Sequence, residues 1–245
     1  MAAPDKIFNI YLSPSDQGKN VYAAGNTNEE VQCERIAVAL EKALLRCRRF
    51  RVVNALTGSM QERVAESNEF KADLHVPLHT NAFDANVSGT RIFCYDMDGV
   101  GYKAAKAIFD RLAPITPGTS ENIKAAPHLY EVRASTAPCV YIETDFHDVD
   151  SVATWIIANT APIAEAICQG ICDHFGVPYV VGEVSPSSAR YQTLDDLPDW
   201  AIPEATELVS LGALKGNEKG LDLTEDMLRG MIINLRTTKA LLAAS

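Results

Sequence analysis

The stretch Leu74-His-Val-Pro-Leu-His-Thr-Asn81 decides the class of fold. Its apolar residues are typical of a strand buried in a sheet, and polar side chains collect at its C-terminal end. His75 and His79 would face the same way on this strand but lie about 13 Å apart, at about 3.3 Å per residue. They therefore cannot bind one metal ion together. His79, near the carboxyl end where the sites of α/β proteins collect, is the better candidate for chemistry.

Apolar strand-like runs alternate with helical periods on both sides of this stretch. The pattern predicts an α/β fold: a mostly parallel twisted sheet flanked by helices, followed by a small helical C-terminal module. The predicted strands are residues 7–12, 50–54, 73–78, 90–95 and 140–143. The predicted helices are residues 29–46, 59–70, 99–112 and 149–175, the last as one long helix.

The composition is that of an ordinary globular protein, with 245 residues, 47% hydrophobic and 22% charged. No run approaches the roughly 18 apolar residues of a membrane span, so we expect no integral membrane segment. The net charge of −10 argues against a nucleic-acid partner, because such binding needs clustered Lys and Arg. The first residues have no basic region followed by an apolar one. We therefore expect synthesis in the cytoplasm without a signal peptide.

Six cysteines are spread through apolar patterns, and none forms a CxxC pair. They are residues 33, 47, 94, 139, 168 and 172. The pattern favours buried thiols over disulfides. Cys168 and Cys172 are one helical turn apart, a spacing that suits a metal or a disulfide, although packing is the preferred interpretation.

The chain is predicted to have two unequal domains. Residues 1–180 carry the α/β pattern and the candidate site. Residues 181–190 form a linker, since GEVSPSSAR at 182–190 combines Pro, Ser and Gly and loses apolar periodicity. Residues 191–245 form a module with helix starts predicted at 198–200 and at Thr224. A module this small has little core of its own, so we expect it to dock on a partner.

Two carboxylates stand out beside His79. A catalytic zinc ion needs three protein ligands and one open position, and His and carboxylate are usual ligands. Glu29 opens the first predicted helix; an acid there would also complement the helix dipole. Glu143 closes the apolar run from Pro138, where a buried carboxylate is costly unless it is paired or near a metal. It is a candidate general base, with a structural pairing to Arg133 as the alternative.

Taken in order, these segments resemble the zinc-dependent N-acetylmuramoyl-L-alanine amidases, often called amidase type 3, of cell-wall remodelling enzymes and phage endolysins. The resemblance covers about Lys6 to Phe175. The matching pieces are IYLSPSDQG at 10–18, the helix of Glu29, LHTNA at 78–82, Gly89-Thr90, LYEVR at 129–133 and APCVYIETDF at 137–146. Several spaced motifs in the right order are more specific than any one of them.

The resemblance implies roles for individual residues. Glu29 and His79 fall on two of the family's three zinc ligands, and Glu143 falls on its catalytic glutamate. Arg133 matches an arginine that precedes the strand of Glu143, and we expect it in the catalytic site. We expect Asn81 and Thr80 to line the groove and hold substrate.

The first loop departs from the family pattern. The commoner sequence there is Asp-Pro-Gly-His-Gly, whose histidine is the remaining zinc ligand, but here residues 13–17 read Ser-Pro-Ser-Asp-Gln. An ungapped comparison places Asp16 at the histidine, and a shift of one residue places Gln17 there. The loop resembles a branch common in endolysins of Gram-positive hosts in which the Gln recurs, which favours Gln17. A carboxylate is chemically the better ligand, which favours Asp16.

The resemblance implies a peptidoglycan hydrolase that cleaves the amide between N-acetylmuramic acid and L-alanine, with Zn²⁺ activating water, and that acts on the wall after release from the cell. The alternative is a catalytically silent wall-binding protein that keeps the fold. A zinc peptidase would need its own motif, and no HExxH is present. The tail from Tyr191 distantly resembles an S-layer homology motif, which implies wall binding or self-association as a homo-oligomer.

Overall fold

The structure, a computed structural model, describes residues 6–118, 122–181, 191–198, 201–216, 220–223, 227–228, 231–232 and 235. The chain divides into two compact units, Met1–Val181 and Gly182–Ser245. The buried apolar cluster of the first unit runs from Phe8 to Val177. The second unit has a separate cluster, from Leu197 to Ile232.

The first unit is built on one six-stranded sheet. The strands are β1 (Phe8–Pro14), β2 (Phe50–Asn54), β3 (Leu74–Asn81), β4 (Arg91–Cys94), β5 (Ile123–Ala125) and β6 (Tyr141–Phe146), in the order β2-β1-β3-β6-β4-β5. All neighbouring pairs are parallel except β4 and β6, which are antiparallel. The predicted α/β class with a mostly parallel sheet is therefore confirmed.

Helices cover both faces of this sheet. They are α1 (Glu29–Arg46), α2 (Met60–Phe70), α3 (Val100–Leu112), α4 (Tyr130–Ala134), α5 (Asp150–Ala158) and α6 (Thr160–Phe175). The chain steps from β1 to β2 in one direction and from β2 to β3 in the other, so right-handed crossovers put α1 and α2 on opposite faces. Helix α6 packs on α1 and α3, whereas α4 packs on α2. The sheet therefore has an α1/α3/α6 face and an α2/α4 face.

The prediction of one long helix over residues 149–175 is wrong. Two helices, α5 and α6, meet at Asn159 with a bend of 75°. Pro162 lies in the first turn of α6, where its missing N–H is tolerated, but its ring would clash with the carbonyl of Ala158 in a continuous helix. Strand β5 and helix α4 are also present although the sequence pattern did not predict them.

Strand β3 continues past its predicted end at residue 78 and includes His79. His79 is paired in register with Glu143 of β6, and the register then shifts between His79 and Asn81. Such bulges re-aim side chains and are common beside active sites. Two candidate residues are thus brought side by side by the central parallel pair of strands.

The described part of the second unit contains helix α7 (Ile202–Ser210), which begins with a Pro in its first turn. Its apolar cluster has the buried members Leu197, Ala201, Ala205, Leu214, Leu223, Leu228 and Ile232. The predicted linker at 182–190 lies outside the described residues. So do Asp199 and Trp200 of the predicted helix start, and Thr224 of the second one.

Among the described helices, none is both long and apolar enough to cross a bilayer by itself; the bent pair α5 and α6 meets the criterion of length and composition only when taken together. All six cysteines are buried free thiols.

Candidate active site

Glu29 enters the site from the start of helix α1. Asn28 caps this helix, because its side chain accepts a hydrogen bond from the N–H of Val31 at 3.0 Å. The cap fixes the first turn, so the Glu29 carboxylate points to the carboxyl edge of the sheet, where its side chain is only 1% exposed. Asn20 in the preceding loop donates a hydrogen bond to Glu29 Oε2 at 2.6 Å. A buried carboxylate is thereby held in one orientation.

His79 lies directly against this carboxylate. Its Nδ1 is 2.8 Å from Glu29 Oε1, and its ring stacks on Tyr141 with ring centroids 4.4 Å apart. Burial lowers the pKa of His79, but the hydrogen bond to Glu29 and the charge of Glu143 outweigh burial, so its pKa is raised. Burial raises the pKa of Glu29, and the hydrogen bond to His79 reverses the balance and lowers it. Each residue therefore favours the charged form of the other.

Glu143 is the cross-strand neighbour of His79. Its Oε2 atom is buried and has no hydrogen-bond partner among the described residues. Burial and, to a smaller extent, the charge of Glu29 raise the pKa of Glu143, whereas His79 and Arg91 lower it, and the net value is about 7. A carboxyl group with this pKa exchanges a proton readily at neutral pH, as a general base must.

The structure distinguishes between Gln17 and Asp16. Gln17 Nε2 is 3.3 Å from His79 Nδ1, and Gln17 Oε1 accepts a hydrogen bond from Asn20 at 3.0 Å. Asp16 and Gln17 are both exposed, but within the described part of the chain the Asp16 side chain makes no hydrogen bond or ion pair with His79 or Glu29. Of the two residues, Gln17 therefore lies beside the Glu29–His79 pair, and its assignment as the third ligand stays a prediction.

These three side chains fit a zinc ion by the chemistry of their donors. The carboxylate of Glu29 and the carboxamide of Gln17 both converge on Nδ1 of His79. The Nδ1–H group of His79 donates to Glu29, so Nδ1 cannot also accept a hydrogen bond from Gln17 Nε2. The two nitrogen atoms therefore face each other without a hydrogen bond. A bound cation or a rotated carboxamide would remove this mismatch. A neutral imidazole, a neutral amide and one carboxylate also carry the same charge as the family's set of two histidines and one glutamate.

The structure places the other predicted site residues differently. Thr80 is only 3% exposed, and its hydroxyl bonds to Tyr22 at 3.0 Å and to His147 at 2.9 Å. The expected substrate contact is therefore not available to its side chain, which alternates to the face opposite His79. Asn81 is half-buried at the end of β3, where its Oδ1 accepts from the N–H of Ala82.

Arg133 is exposed on the short helix α4 and lines a surface pocket of about 370 Å³. The pocket is bordered by Tyr95, Asp96 and residues 135–139. Cys139 lies four residues before Glu143 in extended chain, so the pocket is about 13 Å from the proposed base along the strand. Among the described residues no ion pair joins Arg133 to Glu143, so the alternative of a structural pairing between them is not found.

The alternative partner that the sequence analysis missed is Arg91. This residue is paired in register with Glu143 across the antiparallel strands β4 and β6, and its charge lowers the pKa of Glu143. Its position directly after Gly89-Thr90 is visible in the sequence, but the antiparallel pairing that faces it to Glu143 is not. Tyr141, which stacks on His79, and Asn20, which donates hydrogen bonds to Glu29 and Gln17, were also missed, because their contacts depend on the pairing of β3 with β6 and on the path of the loop before α1.

His75 is part of a separate buried network on the α2/α4 face. Its Nδ1 is 2.9 Å from Ser67 Oγ and its Nε2 is 3.2 Å from Glu131 Oε1. The Ser13 hydroxyl donates to the same Glu131 oxygen at 2.6 Å. Both ring nitrogens of His75 are thus engaged inside the protein, in agreement with its exclusion from the metal site.

Comparisons with known proteins agree with this geometry. A family model described as N-acetylmuramoyl-L-alanine amidase matches residues 10–173. No curated protein matches the chain.

Several solved structures share the fold. The catalytic domain of CwlV, an amidase from Bacillus (Paenibacillus) polymyxa var. colistinus, has a TM-score of 0.64 at 17% identity, covering 70% of this chain and 100% of that one. The amidase AmiC2 of Nostoc punctiforme has a TM-score of 0.60 at 19% identity, covering 69% and 97%. The catalytic domain of the CD27L endolysin, which targets Clostridia difficile, has a TM-score of 0.56 at 20% identity, covering 69% and 97%.

At these identities the structural likeness concerns the fold alone. The family model, however, spans residues 10–173 of a chain of 245 and includes Gln17, Glu29, His79 and Glu143. The chain belongs to the N-acetylmuramoyl-L-alanine amidase family.

Proposed function

We propose that the protein is a zinc-dependent peptidoglycan amidase that hydrolyses the bond between the lactyl group of N-acetylmuramic acid and L-alanine of the stem peptide. The observation that carries this proposal is the buried Glu29–His79 pair beside Glu143, whose Oε2 has no partner among the described residues. Membership in the amidase family supports the substrate class.

Gln17, Glu29 and His79 would hold the zinc ion. Zinc bound there supplies a Lewis acid that polarises the scissile carbonyl and makes water acidic enough to react at neutral pH. Asn20 holds the carboxylate of Glu29 through a hydrogen bond, and the carboxamide of Gln17 would rotate to present Oε1 to the ion, because its Nε2 faces His79. Tyr141 fixes the plane of the His79 ring by stacking.

Glu143 would carry the proton. Its free Oε2 accepts a proton from the attacking water and then gives it to the nitrogen of the departing L-alanine. Positioned proton transfer of this kind contributes about 10²–10⁴-fold to a rate. Arg91 faces Glu143 across the sheet and stabilises its charged form, so we assign Arg91 as a positioning residue.

Substrate would extend along the α2/α4 face of the sheet. Alternate residues Cys139, Tyr141 and Glu143 project on one side of the chain, and the pocket of Arg133 lies at the start of this row. Arg133 therefore suits a role in holding a distant part of the substrate, such as a carboxylate of the stem peptide, instead of proton transfer. Asn81 stays a predicted substrate contact at the other end.

The proposal is tested by wall lysis under metal control. Purified protein is stripped with a chelator and assayed for loss of turbidity of peptidoglycan before and after one equivalent of zinc. We expect activity to disappear with the chelator and to return with zinc. Lysis that is unaffected by complete removal of zinc would contradict the zinc-dependent mechanism.

A second candidate is a catalytically silent wall-binding protein, and the replacement of the family's histidine by Gln17 favours it. Such a protein would bind peptidoglycan without zinc and release no fragments under any zinc load. Retention of Glu29, His79 and a buried Glu143 argues for the enzyme, because a silent protein would gain nothing from a buried unpaired carboxyl group.

We further propose that the second unit binds the wall or associates with a second copy, and that the protein acts as an endolysin or autolysin. The second unit has its own apolar cluster around Ala201 and Ala205. Its S-layer-like sequence and the endolysin-like first loop support this assignment.

A further inference from the structure

Three cysteines meet inside the first unit, far from the candidate active site. Cys47 ends helix α1, and Cys168 and Cys172 lie one turn apart on α6. Each side chain is buried. Glu29 starts the same helix that Cys47 ends, so the two sites are separated by about 27 Å, the length of 18 helical residues.

The three sulfur atoms lie close enough to share one ion. All three Sγ atoms are within 4.8 Å of one another, and those of Cys47 and Cys172 are 3.7 Å apart. A metal ion about 2.3 Å from each sulfur would place the sulfurs about 3.8–4.0 Å apart. A disulfide would instead need two of them to approach to about 2.05 Å. The spacing of the Cys47 and Cys172 sulfurs thus matches coordination by one ion and not a disulfide.

Simple packing of small apolar side chains does not explain this convergence. Cys33, Cys94 and Cys139 are buried as well, yet they are not part of such a group. Within the described residues, the cluster of Cys47, Cys168 and Cys172 is the only set of three His, Cys, Asp or Glu side chains whose donor atoms lie this close together. The feature that needs explanation is that three potential metal-binding sulfur atoms lie within 4.8 Å of one another.

We propose that Cys47, Cys168 and Cys172 form a second metal site, which binds one thiophilic ion of the Cu(I) or Zn(II) type. Thiolates are soft ligands that select these ions. On binding, each thiol releases its proton to solvent and each sulfur forms one bond to the ion, with no change of oxidation state. Among the described residues no fourth His, Cys, Asp or Glu joins the three sulfurs, which suits the trigonal coordination of Cu(I), whereas Zn(II) would need a fourth donor.

A metal ion bound at these three cysteines would cross-link helices α1 and α6. Helix α1 and helix α6 pack together on one face of the sheet, and Arg46 next to Cys47 already forms a two-point ion pair with Glu165 of α6 at 2.7 and 2.8 Å. A metal ion at the adjacent cysteines would likewise join the C-terminal end of α1 to α6. Because the ion binds the folded chain, it should raise the thermal midpoint of unfolding.

The test uses the full-length protein under anaerobic conditions. Cu(I) is delivered from a competing chelator, and the thiolate-to-copper charge-transfer absorption is recorded. This absorption reports sulfur ligands only, so the nitrogen and oxygen donors of the candidate active site do not contribute to it. We expect the absorption to saturate at one Cu(I) per chain, together with a rise in the thermal midpoint.

Matched variants locate the signal. Cys168→Ser and Cys172→Ser should lose the absorption at one equivalent, whereas Cys33→Ser and Cys139→Ser, which change buried cysteines outside the cluster, should keep it. Cys47→Ser, at the end of a helix, provides a third test if the α6 variants do not fold. Repeating the titration after saturation with Zn(II) distinguishes the ions: a lost copper signal means that zinc occupies the cysteines, and a retained signal means that the site selects Cu(I).

Two results would overturn the proposal. One is a folded wild-type protein that gives no charge-transfer absorption at one equivalent of Cu(I). The other is an absorption that Cys168→Ser and Cys172→Ser retain.

Discussion

The carboxyl group of Glu143 is buried next to an imidazole, and its Oε2 is left without a partner among the described residues. Its environment raises its pKa to about 7, and a bound dication nearby would lower that pKa again. The carboxyl group of Glu143 should therefore gain or lose a proton when the charge of the site changes. This property makes it the best position for a functional test at the level of a single side chain.

Glu143→Gln should lower the rate of wall hydrolysis by about 10²–10⁴-fold and leave zinc binding intact, because the amide keeps the shape but cannot accept the proton. Hydrolysis rate and zinc content are measured together. Glu34→Gln, which changes an exposed acid on α1, is the matched control and should behave like wild type. Normal lysis by Glu143→Gln would show that another group is the base.

The two neighbouring loop residues should differ in their effect on zinc. Gln17→Ala should weaken zinc affinity by at least about tenfold, since even outer-shell changes commonly cost 10–100-fold. Asp16→Ala should leave affinity unchanged, because Asp16 is exposed and away from His79. Elemental analysis after dialysis against a zinc buffer gives the comparison. Loss of zinc from Asp16→Ala alone would reverse the assignment.

The His75–Glu131 network should make stability depend on acid pH. Burial raises the pKa of Glu131, but its hydrogen bonds with His75 and Ser13 outweigh burial and hold the pKa below the usual 4.5. A carboxyl with a lowered folded pKa contributes stability above its unfolded pKa, and that contribution is lost as pH falls through the folded value.

Glu131→Gln should therefore be less stable than wild type at pH 7, by about 1–3 kcal/mol, and the difference should shrink below pH 4.5. Urea unfolding at a series of pH values measures both quantities. A difference that stays constant down to the acid transition would mean that Glu131 ionisation contributes nothing.

Much of the candidate site could be predicted from the sequence pattern. The residues that were missed depend on contacts between segments that are distant in sequence. Glu29, His79 and Glu143 stand at the ends or starts of strongly patterned elements, so their location followed from the pattern. Arg91 faces the site because β4 pairs antiparallel with β6, and Tyr141 reaches His79 because β6 pairs parallel with β3; neither pairing can be predicted from local sequence. The positions of Gln17 and Asp16 relative to His79 depend on the path of a loop, which the sequence pattern does not predict.

At the scale of helices and strands, local chemistry decided where the prediction succeeded. Helix α1 was predicted with its observed bounds because Asn28 caps it and its apolar residues repeat with helical period. The predicted helix over 149–175 failed because apolar periodicity continues across Asn159, although Pro162 forbids a continuous helix. Three-residue β5 and five-residue α4 are too short to show a period.

The contact between α3 and α6 depends on Gly170. A Cβ at this position would fall on the backbone of Ile108 and 2.8 Å from the carbonyl oxygen of Ala107. Gly170→Ala should therefore destabilise the protein by about 1–3 kcal/mol through overpacking, despite the better helix propensity of Ala.

Gly101→Ala on α3 is the matched control for this prediction. Its added Cβ would meet its nearest neighbour, the carbonyl oxygen of Cys139, at 3.4 Å, an ordinary contact distance. The control should be neutral or stabilised by up to about 1 kcal/mol. Denaturant unfolding measures the stability of both variants. Equal stabilisation by the two substitutions would contradict the close packing of α3 on α6.

At the scale of the whole molecule, each unit has its own apolar cluster, and no residue of one cluster belongs to the other. The first unit also contains every residue of the candidate site. A protein ending at Val181 should therefore fold and hydrolyse small soluble fragments at the wild-type rate, but bind intact walls more weakly. Sedimentation with walls and hydrolysis of fragments measure the two properties separately. Unchanged wall binding would remove the proposed role of the second unit.

The proposed function requires that this chain cuts one particular bond of peptidoglycan. The most direct measurement is identification of the new amino termini released from purified peptidoglycan, by labelling of free amines followed by mass spectrometry, with Glu143→Gln as the blank. We expect new amino-terminal L-alanine and muramic acid with a free lactyl carboxyl group. New amino termini at other stem-peptide residues, or none above the blank at full zinc loading, would contradict it.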